Sequence, residues 1–210
     1  HRQIAQAVEL IAQAEKPVIY AGGGVIKAEA AKELREFAEF CGIPVVTTLM
    51  ALGAFPESHP LHMGMPGMHG TVPAVAAMQR ADLLITIGAR FDDRVTGDTS
   101  TFAPEAQVIH ADIDPAEIGK IRDVAVPIVG DARNVLAGLL KESRKNSAVK
   151  SPEVGPWRDY LDGLKERFPR GYDPTPDGQL NPQFVLEKLS ETVGPEAVSY
   201  THLRAHETRE

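Results

Sequence analysis

The sequence predicts an α/β domain in which a parallel sheet lies between layers of helices. Five short apolar runs, of the kind found in strands buried on both faces, alternate with segments of helical periodicity. Parallel strands need such crossover helices to join them. The chain has 210 residues, of which 43% are hydrophobic and 24% are charged, so it can bury a core of this kind.

The first fifty residues are predicted to contain two helices and two strands. Residues 1–14 carry apolar side chains at the spacing of one buried helical face, and a strand follows over 18–21. A second helix is predicted at about 28–41. Gly42 stands where a helix commonly ends, and the next strand covers 43–48.

A long loop separates these elements from the rest of the predicted sheet. Residues 51–70 are rich in Gly, Met and His, and long loops in compact domains are often functional. Thr71 is suited to cap a helix that runs to about residue 80. The later elements are strands at 83–88, 107–113 and 126–129, a short helix after Pro115, and a helix from Asp131 to about 142.

The composition divides the chain into four segments. Residues 1–142 form the predicted sheet domain, with 1–14 as its leading helix. Residues 143–180 are rich in Lys, Ser, Pro, Asp and Gly, which indicates an interdomain linker with one short amphipathic helix. Residues 181–198 have the pattern of a truncated further domain, and 199–210 lack helix or strand periodicity, which indicates a non-native tail.

The segment after the predicted linker begins with a helix signal. Asn181 and Pro182 are typical of a helix cap and a first helical residue, and the helix is expected to extend to about 193 with an apolar face. A strand is predicted to begin at 196–198. The chain starts at His1, inside the first predicted helix, so we expect it to be a fragment of a longer protein.

Charge and composition exclude several classes of function. The net charge of −7 gives no reason to expect nucleic acid or an anionic membrane as a partner, and no apolar run approaches the length of a membrane span. Cys41 is the only cysteine, which excludes an internal disulfide and fits a reducing compartment. His59, His62 and His69 lack the spacing of a zinc site, so no metal is expected.

Residues typical of ligand sites follow every predicted strand. They are Gly22 to Gly24, Thr47 with Thr48, the segment 88–94, Asp112, and Gly130 with Asp131. Because the carboxyl ends of parallel strands meet at one sheet edge, we expect these residues to lie along one crevice. Each signal is weak alone. Together they predict a long ligand across this edge, with a pyrophosphate near the glycines and arginines.

Each of these segments also has a purely structural interpretation. The four charges of 88–97 could pair with one another in solvent, and the glycines could form a tight turn. Methionines in 51–70 could pack on a flat ring or fill a gap in the core. Asp112 and Asp131 could cap the helices predicted after them rather than bind a ligand.

Four motifs, in order along the chain, carry a resemblance to a known family. They are Ala21-Gly22-Gly23-Gly24, Thr47-Thr48-Leu49-Met50 followed by Leu52-Gly53, Gly67-Met68-His69-Gly70, and Gly88-Ala89-Arg90-Phe91-Asp92-Asp93-Arg94-Val95-Thr96-Gly97. These motifs resemble acetohydroxyacid synthase, also called acetolactate synthase, in the large catalytic subunit of that thiamine-diphosphate enzyme. The resemblance covers about residues 1–198.

The resemblance implies that the chain is the FAD-binding central domain of the subunit, a Rossmann-like three-layer domain with a six-stranded parallel sheet. The parent enzyme would decarboxylate pyruvate on thiamine diphosphate and Mg²⁺. It would then join the hydroxyethyl unit to pyruvate or 2-oxobutyrate, towards valine, leucine and isoleucine. FAD is required in the family but is not reduced and reoxidised in that reaction.

The motif matches also imply individual FAD contacts. These are Gly22, Gly23, Gly24, Thr48, Leu49, Met50, Gly67, Met68, His69, Gly70, Gly88, Ala89, Arg90, Asp92, Arg94, Val95, Asp112, Ile113, Asp131 and Ala132. Arg94 additionally matches the arginine that recognises the carboxylate of the acceptor 2-oxo acid. The glutamate that activates thiamine and the Gly-Asp-Gly segment that holds Mg²⁺ belong to other domains of the family, so we expect no catalytic residue here and no activity from this chain alone.

The resemblance further implies a homodimer or homotetramer of the full-length subunit, with a small regulatory subunit in some members. A bacterial cytoplasmic location is expected, and a plastid or mitochondrion stays open. Two related thiamine-diphosphate enzymes, glyoxylate carboligase and FAD-dependent pyruvate oxidase, are alternatives that the arginine loop disfavours. A stand-alone nucleotide-binding module is the alternative from another class.

Overall fold

The computed structural model describes residues 2–149, 155–169, 171–173, 175 and 179–193. The helices are α1 (Arg2–Gln13), α2 (Gly23–Lys27), α3 (Ala31–Cys41), α4 (Val72–Arg80), α5 (Asp93–Thr96), α6 (Ala132–Ser143), α7 (Gly155–Arg167) and α8 (Pro182–Val193). The strands are β1 (Pro17–Ala21), β2 (Val45–Thr47), β3 (His62–Gly64), β4 (Leu83–Ile87), β5 (Gln107–Asp112) and β6 (Val126–Val129). The chain divides into two compact units, His1–Pro169 and Arg170–Glu210.

The first unit contains a parallel sheet of six strands in the order β3-β2-β1-β4-β5-β6. This result confirms the predicted α/β class and the strand number that the resemblance implied. β1 and β4 pair along their full length, from Pro17 opposite Leu83 to Ala21 opposite Ile87. Chain order reverses between these two strands, which is where open α/β sheets form their ligand crevice.

The strand that the sequence did not reveal is β3. It lies inside 51–70, so the prediction of an uninterrupted loop there is wrong. β3 has only three residues, His62 to Gly64, and pairs with β2 in a register that shifts between Val45 and Val46. A run this short carries no detectable periodicity, because alternation needs about four residues or more to show.

Two apolar layers enclose the sheet. On one face, α1, α3 and α6 pack together over a core that includes Ile11, Phe37 and Leu136. On the other face, α4 and α7 cover a smaller core that includes Met78 and Leu161. Because helices cover both faces, the central strands β1 and β4 are buried at every position, whereas the edge strand β6 alternates buried and exposed residues.

Two predicted helices differ from the structure. The helix predicted at about 28–41 is α3, which begins at Ala31 and ends at Cys41, and the short helix α2 before it was not predicted; a turn in which Glu29 has a positive φ of 49° separates the two. The short helix predicted directly after Pro115 does not form, and residues 115–119 form turns instead. The side chains of Asp112 and Asp114 accept hydrogen bonds from the amides of Asp114 and Ala116, and these local bonds hold turns in place of helical ones.

Helix α7 belongs to the first unit, although it falls within the predicted linker of 143–180. Trp157 and Leu161 are buried, and the indole Nε1 of Trp157 donates to the carbonyl of Pro17 at 3.3 Å. The amphipathic helix predicted in this region is therefore present and packed. The domain boundary at 142 stays a prediction.

The described part of the second unit is dominated by α8. The side chain of Asn181 accepts a hydrogen bond from the amide of Gln183 at 2.9 Å, which is the predicted N-cap. Phe184 and Val185, from its predicted apolar face, are exposed within this chain. The predicted strand at 196–198 and the predicted tail at 199–210 lie outside the described residues. Within the described ranges, no helix has the length and apolar character that crossing a membrane requires.

Candidate functional site

A cavity of about 780 Å³ opens at the carboxyl edge of the sheet, beside the ends of β1 and β4. Its volume falls within the roughly 300–1,000 Å³ of typical small-molecule sites. Side chains and backbone from the ends of β1, β2, β4 and β5 contribute to its walls. The cavity therefore spans the crevice that the strand-order reversal predicts.

Most of the site residues predicted from the sequence line this cavity. They are Gly22, Gly23, Gly24, Thr48, Leu49, Met50, Gly67, Met68, His69, Gly88, Ala89, Arg90, Asp92, Arg94, Val95 and Asp112. Gly70, Ile113, Asp131 and Ala132 are not among the lining residues.

Five further residues line the cavity that were not among the predicted site residues, namely Tyr20, Lys27, Met65, Pro66 and Glu117. Tyr20 is the penultimate residue of β1. Its neighbours in the sequence are apolar, so the sequence pattern indicated a core residue rather than a site residue. Lys27 ends α2, whose existence the sequence analysis missed. Glu117 lies in the turns that replace the helix predicted after Pro115. A correct prediction of the helix at 23–27 and of the turns at 115–119 would have placed Lys27 and Glu117 near the predicted crevice.

The glycines at the cavity floor are required by a close backbone crossing. A Cβ at Gly22 would lie 2.3 Å from the carbonyl oxygen of Gly88 and 2.4 Å from the Cβ of Ala89. A Cβ at Gly24 would lie 2.7 Å from the Cα of Gly88. The amide of Gly24 donates to the Gly88 carbonyl at 3.0 Å, which ties the two loops together. Contact between the loops after β1 and β4 therefore explains Gly22 and Gly24.

One wall of the cavity is apolar and open to solvent. Leu49, Met50 and Met68 are 66%, 73% and 78% exposed, respectively. In contrast, Met63 is buried in the core. Met63 therefore fills the core, whereas Met50 and Met68 are available to pack on a flat ring. Thr48 adds a buried Oγ1 atom without a hydrogen-bond partner among the described residues. An open apolar wall next to an unsatisfied polar atom indicates a binding surface.

The arginine loop is only partly neutralised by its own acidic residues. Arg90 pairs with Asp92 at 3.0 Å, and Asp92 also accepts a hydrogen bond from the amide of Arg94 and so caps α5. This amide bond is the main cause that lowers the pKa of Asp92, with the positive charge of Arg90 contributing. The Arg94 guanidinium forms neither a hydrogen bond nor a salt bridge with the described residues. The interpretation that the charged side chains of 88–97 pair with one another therefore holds for the guanidinium of Arg90 but not for that of Arg94.

Asp112 and Asp131 have different surroundings at the ends of β5 and β6. Asp112 lines the cavity while one of its carboxylate oxygens accepts from the amide of Asp114 at 2.9 Å. Asp131 caps α6, since its Oδ1 accepts from the amides of Arg133 and Asn134 at 3.0 and 3.2 Å. The capping interpretation therefore holds for Asp131, and its contact with a ligand stays a prediction.

We expect Asp131→Ala to lower the free energy of unfolding by about 1 kcal/mol, because two amides of α6 lose their acceptor. Urea denaturation measures this change. Asp131→Ser retains a capping oxygen and serves as the matched control, with a loss of only a few tenths of a kcal/mol. If Asp131→Ser lost as much stability as Asp131→Ala, the capping role of Asp131 would be contradicted.

Two histidines are buried in the sheet. His62 lies 3.1 Å from the Oγ1 of Thr47, and burial lowers its pKa, with the positive charge of Lys165 adding to the effect. His110 lies 2.9 Å from the carbonyl of Ala89, and burial lowers its pKa as well. Both rings are therefore neutral in the folded protein at neutral pH.

Stability is expected to fall as the pH drops from 7.5 to 5.5. The folded pKa values of His62 and His110 lie below the unfolded value of about 6.5. The unfolded chain therefore binds more protons in this range, and acid favours unfolding. Melting temperatures across the range measure the slope. His62→Gln should flatten the slope, and an unchanged slope in this variant would contradict the expectation.

Comparisons with known proteins agree with this architecture. Residues 4–139 match the family model described as the thiamine pyrophosphate enzyme, central domain. The chain is 68% identical over 206 residues to the acetolactate synthase large subunit of Corynebacterium glutamicum, covering 98% of this chain and 33% of that protein. It is 59% identical over 197 residues to the acetolactate synthase of Mycobacterium avium, covering 94% of this chain and 32% of that protein.

A plant relative is more distant. The chain is 44% identical over 202 residues to acetolactate synthase 1, chloroplastic, of Zea mays, covering 96% of this chain and 31% of that protein. The chain thus spans about a third of the length of the curated relatives it matches. The match over 4–139 contains all six strands of the sheet and most of the helices packed on it, whereas α7 lies beyond the match. The chain therefore belongs to the thiamine pyrophosphate enzyme family, of which it contains the central domain.

Proposed function

We propose that this chain is the FAD-binding central domain of an acetolactate synthase. The observation that carries the proposal is the cavity between the ends of β1 and β4, which is lined both by exposed apolar side chains and by Arg94, whose guanidinium is unpaired among the described residues. The 68% identity to the large subunit from Corynebacterium glutamicum supports the choice of this enzyme over a glyoxylate carboligase or a pyruvate oxidase.

The chemistry of the cavity fits FAD. The open side chains of Leu49, Met50 and Met68 offer an apolar surface that a flat flavin ring would cover. Arg94 offers a planar, bidentate donor for a pyrophosphate, and the unsatisfied Oγ1 of Thr48 offers a further hydrogen bond. Asp112 offers a carboxylate that can accept from sugar hydroxyls.

The proposed FAD site is the set of lining residues that the sequence predicted. Gly70, Ile113, Asp131 and Ala132 complete the set implied by the resemblance, although they do not line the cavity. Arg94 is proposed to have a second role, which is to bind the carboxylate of the acceptor 2-oxo acid. A free guanidinium at the cavity suits both anions.

For the parent enzyme, we propose decarboxylation of pyruvate and condensation with a second pyruvate or with 2-oxobutyrate. Thiamine diphosphate, with Mg²⁺, would supply the electron sink for decarboxylation from sites outside this chain. We further propose a homodimer or homotetramer with a regulatory subunit, and a cytoplasmic location. The bacterial relatives at 68% and 59% identity support this location over a plastid.

Titration of the 210-residue chain with FAD tests the proposal, with flavin fluorescence as the readout. We expect saturable quenching that unlabelled ADP displaces only weakly, because ADP lacks the ring that covers the methionine wall. NAD is the matched competitor. Tighter binding of NAD than of FAD would favour a stand-alone nucleotide-binding module instead. For the full-length parent, acetolactate formed from pyruvate without oxygen uptake supports the proposed activity, and hydrogen peroxide would indicate an oxidase.

A further inference from the structure

His110 contacts both residues that flank Arg90. Its ring is 1% exposed, and its Nε2 lies 2.9 Å from the carbonyl oxygen of Ala89. The same ring meets Phe91 edge-on, with ring centroids 5.6 Å apart and an interplanar angle of 79°. A single side chain on β5 therefore holds the arginine loop on either side of Arg90.

The hydrogen bond to Ala89 defines the form of the ring. A carbonyl oxygen only accepts, so Nε2 must carry the proton and donate it. Nδ1 is buried and has no hydrogen-bond partner within the described chain. The imidazole thus has one polar contact, and that contact is to the backbone of the loop.

Phe91 extends this support across the sheet. Its ring also lies 6.0 Å from that of Tyr20 on β1 and 6.2 Å from that of Phe102, centroid to centroid. Tyr20 lines the cavity, as do Ala89 and Arg90. Phe91, which belongs to the loop that carries the arginines, is therefore packed against an aromatic cluster of Tyr20, Phe102 and His110.

We propose that His110 is a positioning residue that fixes the 88–94 loop in its ligand-binding conformation. The inference rests on the proposed FAD site for its functional meaning, but the positioning itself is a property of the free protein. Removal of the Nε2 donor leaves the buried Ala89 carbonyl without its partner, so the loop beyond Gly88 loses its side-chain hydrogen bond to β5, while the backbone bond from the Gly88 amide to the Ala111 carbonyl remains.

Two substitutions separate the donor from the ring. His110→Phe keeps an aromatic ring against Phe91 but removes the donor. His110→Gln keeps a donor at about the reach of Nε2 but removes the ring. Thr86→Val is the matched control, since Thr86 is the strand partner of His110 on β4 and its buried Oγ1 has no hydrogen-bond partner among the described residues.

Hydrogen–deuterium exchange of the 210-residue chain without FAD is the first measurement. His110→Phe is expected to speed amide exchange in 88–95 about tenfold, and His110→Gln to restore most of the protection. Thr86→Val should leave the segment unchanged. Unaltered exchange in His110→Phe, or equal acceleration in Thr86→Val, would overturn the inference whatever the result with FAD.

FAD titration of the same proteins is the second measurement. His110→Phe is expected to raise the Kd for FAD about tenfold, with partial recovery in His110→Gln and no change in Thr86→Val. If the parent chain itself failed to bind FAD, the proposed function would fail while the exchange result still decided the role of His110. If FAD bound equally to the unsubstituted 210-residue chain and to His110→Phe, the inference would fail and the proposed function would stand.

Discussion

Gly22→Ala is expected to destabilise the protein by about 3 kcal/mol, because the added methyl group would overlap backbone atoms that cannot move aside. Its Cβ would lie 2.3 Å from the Gly88 carbonyl oxygen and 2.4 Å from the Ala89 Cβ. The backbone of Gly22 itself, at φ −112° and ψ −177°, is open to any residue. The loss therefore arises from the contact between two loops and not from local conformation.

Urea denaturation and FAD titration measure the two consequences of Gly22→Ala. To accept the methyl group, the loop after β4 must move away from β1, and this displaces the segment that carries Arg90. The Kd for FAD should therefore rise by at least tenfold. Gly163→Ala is the matched control, because that glycine lies in α7 with open space around it. Alanine should stabilise α7 slightly. Equal stability of the two variants would contradict the close crossing.

Arg94→Ala is expected to weaken FAD binding by about 10–100-fold, which corresponds to roughly 1.5–3 kcal/mol for hydrogen bonds to a charged group. The reason is that Arg94 lines the cavity and that its guanidinium forms no salt bridge with the described residues. Isothermal titration at several salt concentrations provides the measurement. The variant should also show a shallower salt dependence than the parent chain, since one cation fewer meets the phosphates.

Arg144→Ala serves as the control for loss of one positive charge away from the cavity. Arg144 lies at the end of α6, where its guanidinium faces the ring of Phe40. We expect its affinity for FAD to match that of the parent. An unchanged affinity in Arg94→Ala would remove the proposed role of Arg94 at the pyrophosphate.

Arg90 behaves differently because Asp92 neutralises it. Arg90→Ala removes a cation and also leaves the Asp92 carboxylate uncompensated at the cavity, so both effects oppose an anionic ligand. The double variant Arg90→Ala with Asp92→Asn should therefore bind FAD more tightly than Arg90→Ala alone. Asparagine retains a capping oxygen for α5, so the position of Arg94 is preserved.

The sequence by itself determined the fold class, most of the element positions and the edge of the sheet where the cavity lies. These features depend on local periodicity, on caps such as Thr71 and Asn181, and on the rule that parallel strands end together. The ligand-type residues at each strand end needed no knowledge of distant contacts, which is why Gly88, Arg94 and Asp112 could be selected in advance.

Only the tertiary structure decided what depends on residues far apart in the chain. β3 forms because β2 offers it an edge, not because three residues have a strand pattern. The absence of a side chain at Gly22 is explained by its contact with Gly88, and Arg90 differs from Arg94 because, among the described residues, only the Arg90 guanidinium forms a salt bridge with Asp92. The role proposed for His110 depends on the carbonyl of Ala89, which lies in the loop after the neighbouring strand β4. These features cannot be predicted from local sequence patterns, because each depends on a contact between segments that are far apart in the chain and that folding brings together.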